Sequence, residues 1–315
     1  MNPNPNDARI TTVLVGLVVM AGVCFAAEAP MARNRAEIEE ILAKAPNVDG
    51  GVQKTLNVVL LADVKDHVKD EQAHNYPLWQ KRWELLFGGA ACSEEKQANL
   101  YGSARGDKAA LRGAANVNII KAWDWPTEEQ FAAADVILAF CYIDWNDEMH
   151  AQLRRYLERG GGLVVIHSAT WTRKEWQYAS GAAELMGIGG FKKFRHGEVD
   201  VKIVEPEHPL CMGLPTEIRL HDETYWPPTP MMDGVEVLAT SDEVIDDAGN
   251  KVPQPVLWTH TYEKGRVVGF LLGHFTWTFD DPYCRIMLLR AAAWAASESP
   301  YRFDALVLRD ARVTH

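Results

Sequence analysis

The side chains of this sequence best suited to chemistry are histidines and one acidic run at the ends of apolar segments. They fall in five places: His67 with His74, His167, His196, the run His221-Asp222-Glu223-Thr224-Tyr225, and Gly273-His274. Histidine and carboxylate delivered from separate strand ends make up a divalent-metal site or a general acid–base pair. On that reading His67, His167, His196 and Glu223 are the candidate metal ligands, with His74 as the other loop histidine able to complete the set. Glu223, His167 and Tyr225 are the candidate acid–base groups, and Trp171, Trp226, His74 and His274 the candidates to hold a substrate. The spacing carries no HxH, HExxH or CxxC, so position makes the case. The plainer alternatives are a hydrogen-bonded core histidine at His167 and a solvated loop at His67, which stands among Lys65, Asp66 and Asp70.

These residues need a scaffold, and the clearest piece of it is Gly160-Gly161-Gly162-Leu163-Val164-Val165-Ile166-His167. The glycines close a helix, the apolar run without alternation is a strand buried on both faces, and His167 stands at its carboxyl end. Open α/β sheets place their ligand sites at that end of the strands. Similar buried strands are expected at Leu56–Ala62 and Asp135–Tyr142, and a short strand at Val117–Ile120. Helices are expected at Arg35–Lys44, at Leu78–Phe87 closed by Gly88-Gly89, after Thr127 with Glu128 and Glu129 in the first turn, and over Asp147–Arg159 capped by Asn146. Strand and helix alternating at this spacing predict right-handed βαβ units on a parallel sheet.

After His167 the pattern changes. Phe191–His196 reads as a loop and Glu198–Glu205 as a half-exposed strand. Val235–Thr240, Pro255–Thr259 and Arg266–Leu272 read as further strands, Tyr283–Ala296 as a last apolar helix and Tyr301–Val313 as a tail. The expected organisation is a signal peptide over 1–26, a lead-in over 27–54 and a single α/β domain over 55–315.

The leader reading rests on Arg9 before the apolar run Ile10–Phe25 and on small residues Ala26 and Ala27, with cleavage after Ala26. An uncleaved anchor is the alternative, though the run is short for a bilayer. A periplasmic or secreted protein is expected. At 315 residues, 47% of them hydrophobic and eleven of them tryptophan, the chain can build a large core. A net charge of −11 with no basic run argues against nucleic acid as a partner. A homo-oligomer is compatible with the sequence. Cys92, Cys141, Cys211 and Cys284 have no regular spacing; Cys141 and Cys284 read as core residues, and one disulfide through Cys92 or Cys211 is allowed but not required.

Trp171, Trp176, Tyr178, Tyr225, Trp226, Trp258 and Trp277 fall near the strand-end face, where flat rings beside carboxylates suit sugars. A nucleophile elbow and a dinucleotide fingerprint are both missing from the sequence.

With those pieces in order, the chain resembles the trehalose-utilisation (ThuA-like) family over Leu56–Ala296. The resemblance is carried by the stretch Gly160–His167, Phe191–His196, His208-Pro209 with Gly213-Leu214-Pro215, Asp222–Tyr225, Pro255–Trp258, Gly265-Arg266-Val267 and Leu272-Gly273-His274. It implies a flavodoxin-like, class I glutamine amidotransferase-like fold: a mostly parallel sheet with helices on both faces and an elaborated second half. Where those amidotransferases carry a nucleophilic cysteine this chain has His167, so glutamine hydrolysis is not expected. The resemblance implies instead handling of trehalose-type or 3-keto-glucoside sugars by lyase, hydratase, isomerase or hydrolase chemistry. It also implies a divalent metal, zinc first. The rival expectations are a non-catalytic sugar-binding or assembly protein on the same fold, favoured if His167, His196 and Glu223 stand far apart, and acyl transfer through Ser168.

Overall fold

The structure is a computed structural model that describes residues 28–46, 53–64, 72–172 and 177–314. The leader expected over 1–26, and His67 and Trp176, lie outside the described residues. In chain order the elements are β1 (Arg33–Asn34), α1 (Arg35–Ala43), β2 (Leu56–Ala62), α2 (Tyr76–Gly88), β3 (Val117–Trp123), α3 (Glu128–Ala133), β4 (Val136–Phe140), α4 (Asp147–Glu158) and β5 (Gly162–Ile166). There follow α5 (Ala179–Met186), β6 (Phe191–Ile203), β7 (Glu217–Pro228), β8 (Glu236–Val244), β9 (Lys251–Tyr262), β10 (Gly265–Phe270), α6 (Pro282–Ala295) and β11 (Val313–Thr314).

The caps expected from sequence are in place. Thr127 and Gln130 close a capping box on α3, and Asn146 accepts from Met149 N at the start of α4. At the end of α4 the Gly160 amide donates to Leu157 O and the Gly161 amide to Tyr156 O, with Gly160 at φ +98°. That is the paired hydrogen bonding of a Schellman close. Gly162 is required for another reason: a Cβ there would lie 2.4 Å from the Ala295 carbonyl oxygen of α6. Gly162→Val is therefore expected to cost about 1–3 kcal/mol as overpacking. It would be read as a lower urea midpoint at unchanged slope.

Nine strands form one sheet in the order β3-β2-β4-β5-β10-β9-β8-β6-β7. The first five are parallel, and their sequence order is the 2-1-3-4-5 arrangement of flavodoxin-like sheets. Period-2 alternation splits the strands between two cores. Val58, Leu60, Val164 and Ile166 pack with α2 and α6; Val59, Leu61, Leu163 and Val165 pack with α4 and α5.

From β9 onward the strands run antiparallel. β6 pairs with β8 only through Lys202 and Ile203, whereas it pairs with β7 from Phe191 to Lys202. The β6–β7 hairpin thus peels off the sheet and folds back over its carboxyl end. There the Trp277 indole donates to His221 O, 2.8 Å away. The Phe191–His196 loop expected from sequence is instead the first part of β6, and β7 was not foreseen at all.

Cys141, Cys211 and Cys284 are buried thiols and Cys92 is exposed, so no disulfide forms among the described residues. Among those residues no helix is long and apolar enough to cross a membrane.

Candidate metal centre

Four side chains from four distant segments meet at the carboxyl end of the parallel strands. His167 follows β5, His274 follows β10, His74 ends the loop after β2, and Glu223 comes from β7. The loop after β2 is clamped to the loop after β10 by main-chain hydrogen bonds, His74 N to His274 O at 2.8 Å and Thr276 N to Gln72 O at 2.7 Å. That pairing carries His74 to the site.

One ligand atom from each of the four lies within 4.8 Å of the others, and all four residues are buried. His74 Nε2 is 2.9 Å from His167 Nε2 and 3.0 Å from His274 Nδ1. Glu223 Oε2 is 2.9 Å from His274 Nδ1, 3.2 Å from His167 Nε2 and 4.0 Å from His74 Nε2. Ligands bonded tetrahedrally at 2.0–2.1 Å stand roughly 3.3 Å apart, so this spread fits a bound ion. His167 Nδ1 lies 2.9 Å from Leu271 O, so Nδ1–H donates there and Nε2 faces the cluster. Three imidazole nitrogens and one carboxylate are a donor set suited to zinc and its first-row neighbours. The cluster can hold a divalent metal ion.

Two strained backbone positions lie at the same place. His74 and His167 sit at φ +49° and +50°, a region few residues other than glycine adopt. Each such conformation costs on the order of 1–3 kcal/mol and persists where the surroundings over-determine it.

Asp222 provides much of that determination. Its fully buried carboxylate accepts from Glu223 N at 2.7 Å, His274 N at 2.9 Å, Gly273 N at 3.2 Å and the Thr278 hydroxyl. It thereby ties the strand bearing one ligand to the loop bearing another.

Tyr225 is buried, with its hydroxyl 2.9 Å from His167 Nε2 and 3.1 Å from Glu223 Oε2. Burial pushes this phenol well above its ordinary range, and the nearby Glu223 charge adds to the effect. Burial also pushes the Glu223 carboxyl up. Hydrogen bonds from His167, His196 and His274 outweigh that and hold it well below the usual carboxylate range. Above the cluster opens a cleft of about 280 Å³ lined by His74, Tyr142, Trp171, Phe194, Glu223 and Tyr225.

A family model described as ThuA, trehalose utilisation, matches residues 91–295. The chain belongs to the ThuA family. A crystal structure of a ThuA-like protein from Bacteroides uniformis is similar, with 18% identity and a TM-score of 0.57 over 82% of this chain and 99% of that one. A second ThuA-like structure, from Parabacteroides merdae, has 17% identity and a TM-score of 0.50 over 78% of this chain and 92% of that one. At those identities they speak for the fold. No curated protein matches the chain. Within the ThuA match lie His167, Glu223 and His274; His74 comes from outside it.

Of the residues singled out from sequence, the structure brings His167, Glu223, His74, His274 and Tyr225 together, with Trp171 at the cleft wall. His196, read as a ligand, stands opposite Glu223 on the neighbouring strand, 3.3 Å from its other oxygen, and is half exposed. It is not among the four converging atoms. Its hydrogen bond to Glu223 raises the imidazole's pKa, with burial partly opposing. Trp226 points away from the site: it alternates with Tyr225 along β7, and its indole donates to Val244 O at 2.7 Å. Trp258 is a core residue whose indole donates to Met186 O. Sequence reasoning missed Phe194, which is 58% exposed on the cleft rim beside Trp171. An aromatic residue flanked by Lys192, Lys193 and Arg195 is the signal that marks it.

Proposed function

We propose that this ThuA protein is an exported, metal-dependent enzyme acting on a trehalose-type or 3-keto-glucoside sugar. The observation that carries the reading is the convergence of His74, His167, Glu223 and His274 at the floor of an aromatic-walled cleft. The family's description as trehalose utilisation supports a sugar as the substrate class. A divalent ion held by those four residues supplies electrophilic polarisation of a sugar carbonyl or hydroxyl.

The remaining roles belong to the chain's own side chains. Trp171 and Phe194 offer ring faces to the apolar side of a pyranose. Tyr225, buried and kept protonated, is placed to give and recover a proton at its hydroxyl. His196 holds Glu223 Oε1 and lies close enough to the solvent to exchange protons with it.

The test is elemental mass spectrometry on mature protein purified without chelator or histidine tag. About one equivalent of zinc or a neighbouring metal is expected. Chelator treatment should remove it and lower the thermal midpoint, because an ion bound only to the folded state stabilises by about 2.7 kcal/mol at a hundredfold excess over Kd. A protein that takes up no metal after re-addition and dialysis would defeat this reading and favour a metal-free binding protein. Keto-sugars are then screened with the loaded protein. On the sugar that turns over, Tyr225→Phe should cut kcat by roughly 10²–10⁴-fold while leaving the metal content unchanged. Export is checked separately by N-terminal sequencing of the mature chain, which should begin at Ala27.

A further inference from the structure

A second cleft, remote in function from the histidine cluster, is built of arginine. It has a volume of about 540 Å³ and is lined by Arg35, Arg105, Arg112 and Arg309 together with Asp107 and Asp310. Four guanidinium groups against two carboxylates stand out in a chain of net charge −11.

Both carboxylates are engaged by backbone amides, while Asp310 Oδ1 is buried without a hydrogen-bond partner. Asp107 caps Ala109 N at 2.8 Å and accepts from Asp310 N at 3.3 Å. Asp310 accepts from Ala98 N at 2.8 Å. Arg105 is engaged with Asp310 O at 2.5 Å and with Asp280 at 3.6 Å, and Arg35 reaches Glu39 at 3.5 Å.

Arg112 and Arg309 differ from these. Among the described residues neither forms an ion pair, and the Arg309 Nη1 atom is buried with no hydrogen-bond partner. Burial lowers the Arg309 pKa; Asp107 opposes this and the charge of Arg112 adds to it. A buried donor left unmade costs about 1–3 kcal/mol, and more when charged. Two adjacent guanidiniums add repulsion to that cost. A bound oxyanion relieves the repulsion, because guanidinium forks match tetrahedral oxyanions bidentately.

We propose that this cleft binds a small ligand through a phosphoryl or sulfuryl group held by Arg112 and Arg309. The volume is that of a small-molecule site and leaves room for more than the bare anion. The inference does not rest on the sugar reading, since none of its residues belongs to the metal cluster.

The experiment is thermal denaturation of the full chain in sodium phosphate, sodium sulfate, glucose 6-phosphate and glucuronate, each against sodium chloride of equal ionic strength. Phosphate, sulfate and the phosphate ester should each raise the midpoint of the wild type, by about 5 °C at a hundredfold excess over Kd. Stronger protection by the ester would identify an organic phosphate as the ligand, and equal protection a free oxyanion. Arg112→Gln, at an exposed position that leaves the fold intact, should weaken binding at least fivefold, and the Arg112→Gln/Arg309→Gln pair should abolish the shift. No shift with any oxyanion, a shift that persists in the double variant, or stronger protection by glucuronate would each overturn the proposal.

Discussion

Glu223→Gln should leave a folded protein that has lost its metal, with affinity down at least 100-fold. Changing groups that only orient a ligand already costs 10–100-fold, and Glu223 is the one anionic member of the four-residue cluster. The substitution keeps the size of the side chain and an oxygen for the Tyr225 hydroxyl, now 3.1 Å away, so packing is preserved. What disappears is the charge that stands 2.9–4.0 Å from three imidazole nitrogens. The check is metal content after dialysis, with near-ultraviolet circular dichroism to show the aromatic surroundings intact. A Gln variant that retains a full equivalent would mean that the ion sits elsewhere. His196→Ala, which removes a contact to the other carboxylate oxygen and ring contacts but none of the four converging ligand atoms, should lose far less.

The parallel half of the fold was legible because its inner strands are buried on both faces and each helix is closed by a recognisable cap. Leu56–Ala62 is apolar apart from Asn57 and has the ends expected of it. The antiparallel half was harder. β7 is buried along Asp222–Trp226, yet its buried residues include Asp222, Glu223 and Thr224, whose partners come from elsewhere in the fold. Hydrophobic alternation survives only over Glu217–Leu220 and lapses along Asp222–Thr224, so the stretch that carries the site reads as a polar run.

Phe191–His196 failed for the opposite reason. As part of a hairpin standing off the sheet, it exposes Lys192, Lys193 and Phe194 and resembles a loop in composition. The candidate site was legible where a strand end fixes a residue, as at His167 and His274. The role of His74 depends on the pairing of residues 72–74 with 274–276, a contact between segments some two hundred residues apart that no local pattern encodes.

Asp222→Ala should be the costliest single change, in stability as well as in the site. The carboxylate is fully buried and serves four donors, three of them backbone amides. Alanine strands those donors and opens a polar void. A partly satisfied buried network costs about 1–3 kcal/mol for each group left unmade, so a loss of about 3–5 kcal/mol is expected. The same bonds fix the backbone of Gly273 and His274, so the His274 ring loses its aim and metal affinity should fall 10–100-fold. Urea denaturation of the metal-free forms isolates the first effect, and metal titration in the absence of denaturant isolates the second. Asp222→Asn separates them further. The amide oxygen still accepts from part of the backbone, so stability recovers more than metal affinity if orientation is the sensitive quantity. Were Asp222→Ala to bind metal like the wild type, β7 and the 273–278 loop would be held by other contacts. The hairpin's return over the sheet would then need a different cause.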